Sequence, residues 1–271
     1  MKPAKFDYVQ AEALDEALAT LRAEGEGARI IAGGQSLLPM LNMRLARPAV
    51  LVDIMHIAAL AEATATTETL RIGAAVRQAA LLARPSLHPL LAAALPWVGH
   101  AQTRSRGTLC GSVAHADPSA EIPLVLLALQ GEILLRSARR ARRVAATDFF
   151  TGMMQTARHE DEMIEAITIP QPRTGEGYAF REVGRRHGDF AIVACAAAAH
   201  ATGVRLAIGG VADHPAAREL PADSAQWDDA LDAFAHALDA RDDLHATATY
   251  RRQLVRKLGR QVMQEAAACR A

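Results

Sequence analysis

The sequence contains few aromatic residues and few cysteines. Phe, Trp and Tyr make up 4% of the 271 residues, although 51% of the residues are hydrophobic. The three cysteines, Cys110, Cys195 and Cys269, lie far apart and form no CxxC pair. Their odd number and their spacing fit neither a disulfide framework nor the ligand set of a zinc ion or an iron–sulfur cluster.

The sequence also lacks an excess of charge and any long apolar run. Lys+Arg and Asp+Glu balance at 30 each, so no global charge attracts nucleic acid or an anionic membrane. No apolar run approaches the roughly 18 residues of a membrane-spanning helix. The first eight residues lack the apolar core of a signal peptide. We therefore expect a cytoplasmic protein without membrane insertion and without a nucleic-acid partner.

Short strand and helix patterns alternate along the chain, which favours an α+β fold. Apolar residues at helical spacing predict a helix over 11–24, and 49–54 is typical of a strand buried on both faces. The segment PQPRTGEG at 170–177 is the best candidate for a domain boundary, because it holds two prolines and two glycines. Beyond it we predict strands at 178–183, 192–199 and 204–208, an acidic helix-prone stretch at 220–244 and a long helix at 246–268.

The first segment with binding potential is Ala32, Gly33, Gly34, Gln35 and Ser36. The two glycines let the backbone approach a ligand without a Cβ clash. Ser36 adds a hydroxyl at a predicted helix N-terminus, where free N–H groups favour phosphate. The segment is not a GxGxxG motif, and no Walker lysine follows it. Taken alone, it is at least as consistent with a tight turn in which Ser36 caps the helix.

The second segment with binding potential comprises Thr108, Leu109, Cys110, Gly111 and Ser112. Two carboxylates four residues apart, Asp117 and Glu121, follow it. Amides and hydroxyls of this kind suit a diphosphate, and a carboxylate suits a ribose or ribityl hydroxyl. Asp117 is equally suited to cap the helix predicted at 122–129.

Together, five segments resemble the FAD-binding medium subunit of molybdenum hydroxylases, the carbon monoxide dehydrogenase and xanthine dehydrogenase family. The segments are AGGQSLLP (32–39), NMRLARP (42–48), RSRGTLCGS (104–112), AHADPSAE (114–121) and GGVA (209–212). The resemblance covers essentially the whole chain. It implies a two-lobed FAD-binding domain of the vanillyl-alcohol-oxidase type over 1–173, with lobes of about 1–55 and 56–173. It also implies a C-terminal domain over 174–271, with a three-stranded antiparallel sheet and helices.

The resemblance also implies roles for single residues. The segments 32–36 and 108–112 would hold the FAD diphosphate from the two lobes, and Glu121 would hydrogen-bond the cofactor. Around the flavin ring it places the backbone of Ile164, Arg181 where the family usually has lysine, and Phe190 as an aromatic cover. Cys110 replaces a usual glycine, and we expect its thiol to turn away from the phosphates.

By this resemblance the chain is an electron-transfer subunit that binds FAD. Its expected partners are a small subunit with [2Fe-2S] clusters and a large subunit with the molybdenum cofactor, in a dimer of heterotrimers. The flavin supplies the chemistry, so we expect no catalytic side chain. We also expect no metal site, because His88, His100 and His115 lack ligand spacing.

Two alternatives stay open at this point. One is a self-sufficient FAD-dependent oxidase or dehydrogenase of a small organic substrate, and the other is an interaction subunit whose flavin site has decayed. The basic cluster at 139–143 is interpreted as a solvated loop or a subunit contact. Neither the substrate of the complex nor its terminal electron acceptor follows from this sequence.

Overall fold

The N-terminal part of the chain forms a small parallel sheet in the computed structural model, which describes residues 2–270. Strand β3 is central, and β1 and β2 pair with it in parallel on either side. Leu51 and Val52 are both buried, as the continuous apolar run predicts. The elements are β1 (Asp7–Gln10), α1 (Leu14–Glu24), β2 (Ala28–Ile31), α2 (Leu37–Asn42) and β3 (Val50–Asp53).

The next part of the chain forms a five-stranded antiparallel sheet in the order β4-β5-β10-β6-β7. Helix α7 is apolar on all sides, and each of its residues is buried. The elements are β4 (Ala63–Ala65), β5 (Thr69–Gly73), α3 (Gln78–Leu82), α4 (Pro89–Ala94), α5 (Ala101–Arg106), α6 (Leu109–His115), α7 (Glu121–Ala128), β6 (Glu132–Arg136), β7 (Ala141–Ala145), α8 (Ala146–Phe149), β8 (Phe150–Gly152), β9 (Gln155–Thr156) and β10 (Met163–Pro170).

The C-terminal domain has a four-stranded antiparallel sheet in the order β11-β12-β13-β14, one strand more than the resemblance implies. The additional strand, β14, is an edge strand that exposes Arg218 and Glu219. Its charged residues, the preceding Pro215 and the terminal Pro221 weaken the strand pattern, so the sequence does not predict it. The elements are β11 (Gly177–Val183), β12 (Val193–His200), β13 (Gly203–Gly209), β14 (Ala216–Pro221), α9 (Trp227–Ala237) and α10 (Ala248–Ala268).

Strand β12 is buried on both faces. Ala194 and Ala196 face the core of the FAD-binding domain, whereas Val193 and Cys195 face the core formed with α9 and α10. Side chains alternate between the faces of a strand, and small side chains let helices approach closely from both sides. The alanine-rich sequence of β12 therefore fits the C-terminal sheet between α10 and α7.

Backbone contacts fix the C-terminal domain against the start of α7. The N–H of Gly210 donates to the Pro118 carbonyl at 2.8 Å, and Gly210 has a φ of +79°. The buried Arg251 guanidinium donates to the carbonyls of Ile192 and Gly210. The segment that follows β13 is thus held beside the residues that precede α7.

Candidate cofactor-binding site

The first segment with binding potential touches the backbone of Arg106 and Gly107, directly before the second segment. A Cβ placed at Gly33 would lie 2.7 Å from the carbonyl carbon of Arg106 and 2.7 Å from Gly107 Cα. Real Cβ atoms do not approach backbone so closely, so only glycine fits at position 33. Segments more than 70 residues apart in sequence thus form one continuous surface.

This surface borders a cleft of about 1000 Å³. That volume lies at the upper end of the range for small-molecule sites. The cleft extends from the two glycine segments to Ile164 of β10 and to Phe190 of the loop that follows β11. The residues expected at the cofactor that line it are Ala32, Gly33, Gly34, Gln35, Ser36, Thr108, Cys110, Gly111, Ser112, Asp117, Glu121, Ile164 and Phe190.

Local geometry in the first segment requires glycine again. Gly34 has a φ of +72°, a left-handed conformation that side chains disfavour. Gln35 Nε2 donates to the Gly33 carbonyl at 3.1 Å. Ser36 lies at the N-cap of α2, yet its side chain accepts no cap hydrogen bond within residues 2–270. The Ser36 hydroxyl is therefore not used as a helix cap, and Ser36 is one of the residues that line the cleft.

The second segment is the first turn of α6 rather than a loop. Thr108 is the N-cap of α6, and its Oγ1 accepts the Gly111 N–H at 3.0 Å. A hydroxyl that accepts one bond can still donate its own proton. A Cβ at Gly111 would lie 2.8 Å from that Oγ1. Glycine at position 111 therefore leaves room for the Thr108 side chain to cap the helix.

Cys110 points into the core. Its Sγ lies 3.6 Å from the Ile72 carbonyl oxygen, with which it can form a hydrogen bond, and the residue is buried. Burial raises the pKa of the Cys110 thiol to about 12. The thiol therefore stays neutral and unreactive, away from the glycine surface.

Asp117 does not cap α7. Its Oδ1 accepts the Ser119 N–H at 2.8 Å in a local turn, and the N-cap of α7 is Ala120. Glu121 is the first residue of α7 and is only 4% exposed. Burial raises the pKa of Glu121 to about 7. Asp117 and Glu121 both reach the cleft.

The sequence analysis did not identify Gln78, which also lines the cleft. Its N–H donates to the Gly107 carbonyl at 2.9 Å, and its Nε2 lies 3.5 Å from the Thr108 carbonyl. The side chain is 3% exposed, and Oε1 has no hydrogen-bond partner among residues 2–270. A buried acceptor without a hydrogen-bond partner indicates a site where a ligand could supply the donor. The only sequence signal is a polar residue that opens the apolar helix α3.

Two residues expected at the cofactor do not line the cleft. Leu109 is fully buried in the core. Arg181 lies on the face of β11 turned towards α10, where its Nε donates to Glu265 at 2.7 Å. The next residue, Glu182, lies on the opposite face of the strand. Phe190, in contrast, is 62% exposed at the mouth of the cleft.

Positive charge faces the cleft from three arginines, Arg29, Arg47 and Arg158. Burial, followed by the charge of Arg29, lowers the pKa of the Arg158 guanidinium. An anionic group between these two arginines would relieve their repulsion.

The basic cluster at 139–143 is largely paired within the chain. Arg142 donates to both carboxylate oxygens of the buried Glu162 at 2.8 Å. Arg140 is 3.5 Å from the same carboxylate, and Arg143 pairs with Glu132. This pairing explains most of the cluster without a nucleic-acid partner.

The imidazole of His115 lines the cleft as well. Burial lowers its pKa, although the nearby Asp117 charge acts in the opposite direction. His115 is therefore a neutral side chain of the cleft wall. No group of three His, Cys, Asp or Glu side chains with metal-binding geometry occurs among residues 2–270.

Two family models match the chain. The model described as the FAD binding domain in molybdopterin dehydrogenase matches residues 4–172, and that of the CO dehydrogenase flavoprotein C-terminal domain matches 178–266. The chain belongs to this family of flavoproteins. Most residues that line the cleft lie in the FAD-binding domain, and Gly188, Asp189 and Phe190 of the C-terminal domain complete it. Within residues 2–270, no helix is long and apolar enough to cross a membrane.

Individual relatives are similar over their whole length. The nicotine 6-hydroxylase medium subunit of Paenarthrobacter nicotinovorans is 36% identical, with 99% of each chain covered. The carbon monoxide dehydrogenase structure from Hydrogenophaga pseudoflava has a TM-score of 0.95 at 30% identity, with full coverage of both chains. Quinoline 2-oxidoreductase from Pseudomonas putida 86 has a TM-score of 0.91 at 32% identity over 99% of each chain. The relatives of this flavoprotein thus include a medium subunit of a hydroxylase, a carbon monoxide dehydrogenase of the molybdenum-cofactor type and a quinoline oxidoreductase.

Proposed function

We propose that this flavoprotein is the electron-transfer subunit of a molybdenum hydroxylase complex. In this assignment it accepts electrons from [2Fe-2S] clusters of a small partner subunit and delivers them to a terminal acceptor. A large partner subunit holds the molybdenum cofactor and acts on the substrate. The continuous cleft from the Gly33–Arg106 contact to Phe190 is the observation that carries the proposal.

The residues of the cleft fit FAD in two respects. The glycine surface at Gly33 and Gly111 lets a diphosphate approach the backbone, and the hydroxyls of Ser36, Thr108 and Ser112 are suitable donors. The orphaned Gln78 Oε1 and the Glu121 carboxylate are acceptors for cofactor hydroxyl or amino groups. When bound, FAD supplies the redox chemistry, and the protein supplies binding and orientation.

The far end of the cleft suits an electron carrier. The backbone of Ile164 and the exposed ring of Phe190 would hold the flavin ring between them. Phe190 lines the cleft and is 62% exposed, so its ring would cover one face of the bound flavin. Neither Ile164 nor Phe190 is an acid or a base, which suits the transfer of electrons better than proton transfer with an organic substrate.

The test is a reconstitution of the complex. The purified chain is loaded with FAD, and its visible spectrum is recorded anaerobically with and without the two partner subunits and their substrate. We expect flavin bleaching only when the cluster and molybdenum subunits are both present. Bleaching of the isolated chain by an organic substrate would contradict the proposal.

One observation favours an alternative function, a self-sufficient FAD-dependent oxidase. A second cavity of about 470 Å³ adjoins the cleft at Phe190. It is lined by apolar residues such as Ile192 and Val211 and by charged residues such as Asp213, Arg241 and Arg251. A small organic substrate with a polar group would fit there. The spectroscopic experiment above separates the two functions, because only the oxidase is reduced without partners.

The organisation of the chain and of the complex forms part of this proposal. We place the functional boundary at 173/174, supported by the family matches on either side and by a hydrophobic core that lies wholly within the C-terminal part of the chain. We further propose a dimer of heterotrimers in the cytoplasm. Size-exclusion chromatography with light scattering on the reconstituted complex tests the stoichiometry.

A further inference from the structure

The loop that carries Phe190 rests on the FAD-binding domain. We name this loop, residues 184–192 between β11 and β12, the Phe190 loop. It contacts the turn at 95–100, which directly precedes α5. The two segments belong to different domains, so their contact determines where the Phe190 loop lies relative to the cleft.

The first contact is made by the backbone at Gly188. A Cβ at Gly188 would overlap the His100 imidazole and would lie 3.0 Å from the Gly99 carbonyl oxygen. Gly188 also has a φ of +85°, a conformation that side chains disfavour. Glycine at position 188 therefore lets the loop backbone lie directly on Gly99 and His100.

The second contact is made by the preceding residue, His187. Its imidazole packs on the Trp97 indole, with the ring centres 4.8 Å apart and the planes at 32°. Ring pairs at this distance are favourable. Trp97 itself is partly buried against the main hydrophobic core. Two consecutive residues of the Phe190 loop thus contact the same turn.

The turn is held in place by a single guanidinium group. Arg104 Nη1 donates to the carbonyls of Pro96, Val98 and Gly99 at 3.2, 3.1 and 3.0 Å. Hydrogen bonds from a charged donor are stronger than neutral ones. The turn is therefore a firm surface on which the Phe190 loop can rest.

The polar contacts within the Phe190 loop do not fix it to the cleft. Arg186 pairs with Asp189 at 3.1 Å, but 83% of the Arg186 side chain is exposed, and such exposed ion pairs contribute little. The Asp189 N–H donates to the Arg186 carbonyl at 3.1 Å, which closes a local turn. Both interactions stay inside the loop, whereas those of His187 and Gly188 reach the FAD-binding domain.

We propose that Gly188, together with the Trp97–His187 ring pair, positions Phe190 at the mouth of the cleft. Gly188 lies two residues before Phe190, and both residues line the cleft with Gly99. A displacement of Gly188 therefore moves the Phe190 ring. Gly188 is a positioning residue, since it acts through Phe190. This inference rests on the proposed role of Phe190 as the cover of the flavin ring.

The first measurement is amide hydrogen exchange of the full chain without FAD. Gly188→Ala should exchange the amides of the Phe190 loop several-fold faster than the wild type, because the added methyl group forces the loop off the turn. Gly175→Ala is the matched control. Gly175 has a φ of +83°, but a Cβ there would meet no atom of residues 2–270 within 4 Å. It should leave exchange in the Phe190 loop unchanged, and wild-type exchange in Gly188→Ala would overturn the proposal.

A second substitution tests whether the contact with His100 is the cause. The side chain of His100 is exposed and makes no cap hydrogen bond at α5 within residues 2–270. His100→Ala makes room for the methyl group of Gly188→Ala. The double variant should therefore exchange more slowly in the Phe190 loop than Gly188→Ala alone. Equally fast exchange in both variants would show that the loop does not rest on His100, and the inference would fail.

The third measurement is the rate at which dithionite bleaches the flavin of the FAD-loaded chain. Gly188→Ala and Phe190→Ala should each bleach several-fold faster than the wild type, since a displaced or missing ring uncovers the flavin. Gly188→Ala should add no further increase in the Phe190→Ala background, because residues that act through one group are not additive. A further several-fold increase would mean that Gly188 does not act through Phe190.

Failure of this inference differs from failure of the proposed function. If the wild type binds no FAD, the proposed electron-transfer function fails, and the exchange measurements still test the contact between the Phe190 loop and the turn. If FAD binds but Phe190→Ala bleaches at the wild-type rate, Phe190 does not cover the flavin, and the positioning role of Gly188 is overturned.

Discussion

The main-chain carbonyl of Arg106 occupies the space that a side chain at Gly33 would need. This contact joins the loop after β2 to the end of α5 and closes one side of the cleft. Neither segment forms a binding surface alone, since each is an ordinary turn or helix start. The proposed cofactor-binding surface exists only because the two backbones touch.

We predict that Gly33→Ala loses FAD. The added methyl group overlaps the Arg106 carbonyl, and relief of the overlap must separate the two segments. We expect a loss of about 1–3 kcal/mol in the free energy of unfolding, with a strongly reduced ratio of flavin to protein absorbance. Gly27→Ala is the control, because its Cβ would meet only ordinary contacts, at 3.7 Å from Ala49. Normal flavin content in Gly33→Ala would refute the role of this contact.

We predict that Gln78→Leu weakens FAD binding. The substitution keeps the side-chain volume but removes the acceptor Oε1 and the donor Nε2. Loss of one hydrogen bond to the cofactor corresponds to about 1 kcal/mol, or several-fold in the dissociation constant. Titration of the apoprotein with FAD gives this value, and Gln102→Leu on the exposed face of α5 serves as control. Equal affinities for the variant and the wild type would mean that Oε1 does not contact the cofactor.

The sequence predicts the glycine positions and Glu121 but cannot predict Gln78 or the direction of Arg181. Glycine and hydroxyl residues carry a local signal, because their backbone conformation and hydrogen bonding are short-range properties. Gln78 reaches the cleft only because α3 packs beside the end of α5. Arg181 and Glu182 are neighbours on β11, and a one-residue difference in alignment exchanges which of them faces the FAD-binding domain.

The same distinction applies to the fold. Strands such as β3 and β12 are predicted well, since they are apolar runs buried on both faces. Strand β14 is missed because pairing with β13 stabilises a sequence that has little strand preference of its own. Where the local sequence pattern is weak, pairing with a neighbouring strand therefore determines whether a strand forms.

We predict that only one thiol reacts in the native protein. Cys110 and Cys195 are buried, and burial raises both thiol pKa values, whereas Cys269 is exposed. A chromogenic disulfide reagent should titrate one thiol per native chain and three in denaturant. Cys269→Ser should abolish the native reaction. Cys110→Gly should keep near-normal FAD content, and a failure to bind FAD would show that the thiol belongs to the site.

His88 provides a pH-dependent contribution to stability at the interface between the two domains. Its Nδ1 accepts the Leu90 N–H at 3.1 Å at the start of α4, and its ring packs edge-on against Tyr178 at 4.6 Å. Burial lowers the pKa of His88 to about 4, although the Glu176 charge acts in the opposite direction. The folded protein therefore keeps this imidazole neutral at a pH where the unfolded chain already protonates it.

We predict that His88→Asn reduces the acid sensitivity of the fold. Because the folded pKa lies below the unfolded value of 6.5, the stability from neutral His88 is complete above pH 6.5 and is lost as the pH falls towards 4. The full loss corresponds to about 3 kcal/mol. Asparagine can still cap α4, so the variant should fold and show a shallower decline in unfolding free energy between about pH 7 and about pH 5. Urea denaturation measures this decline, with the exposed His56→Asn as control. Parallel declines in wild type and His88→Asn would show that another group causes the acid sensitivity.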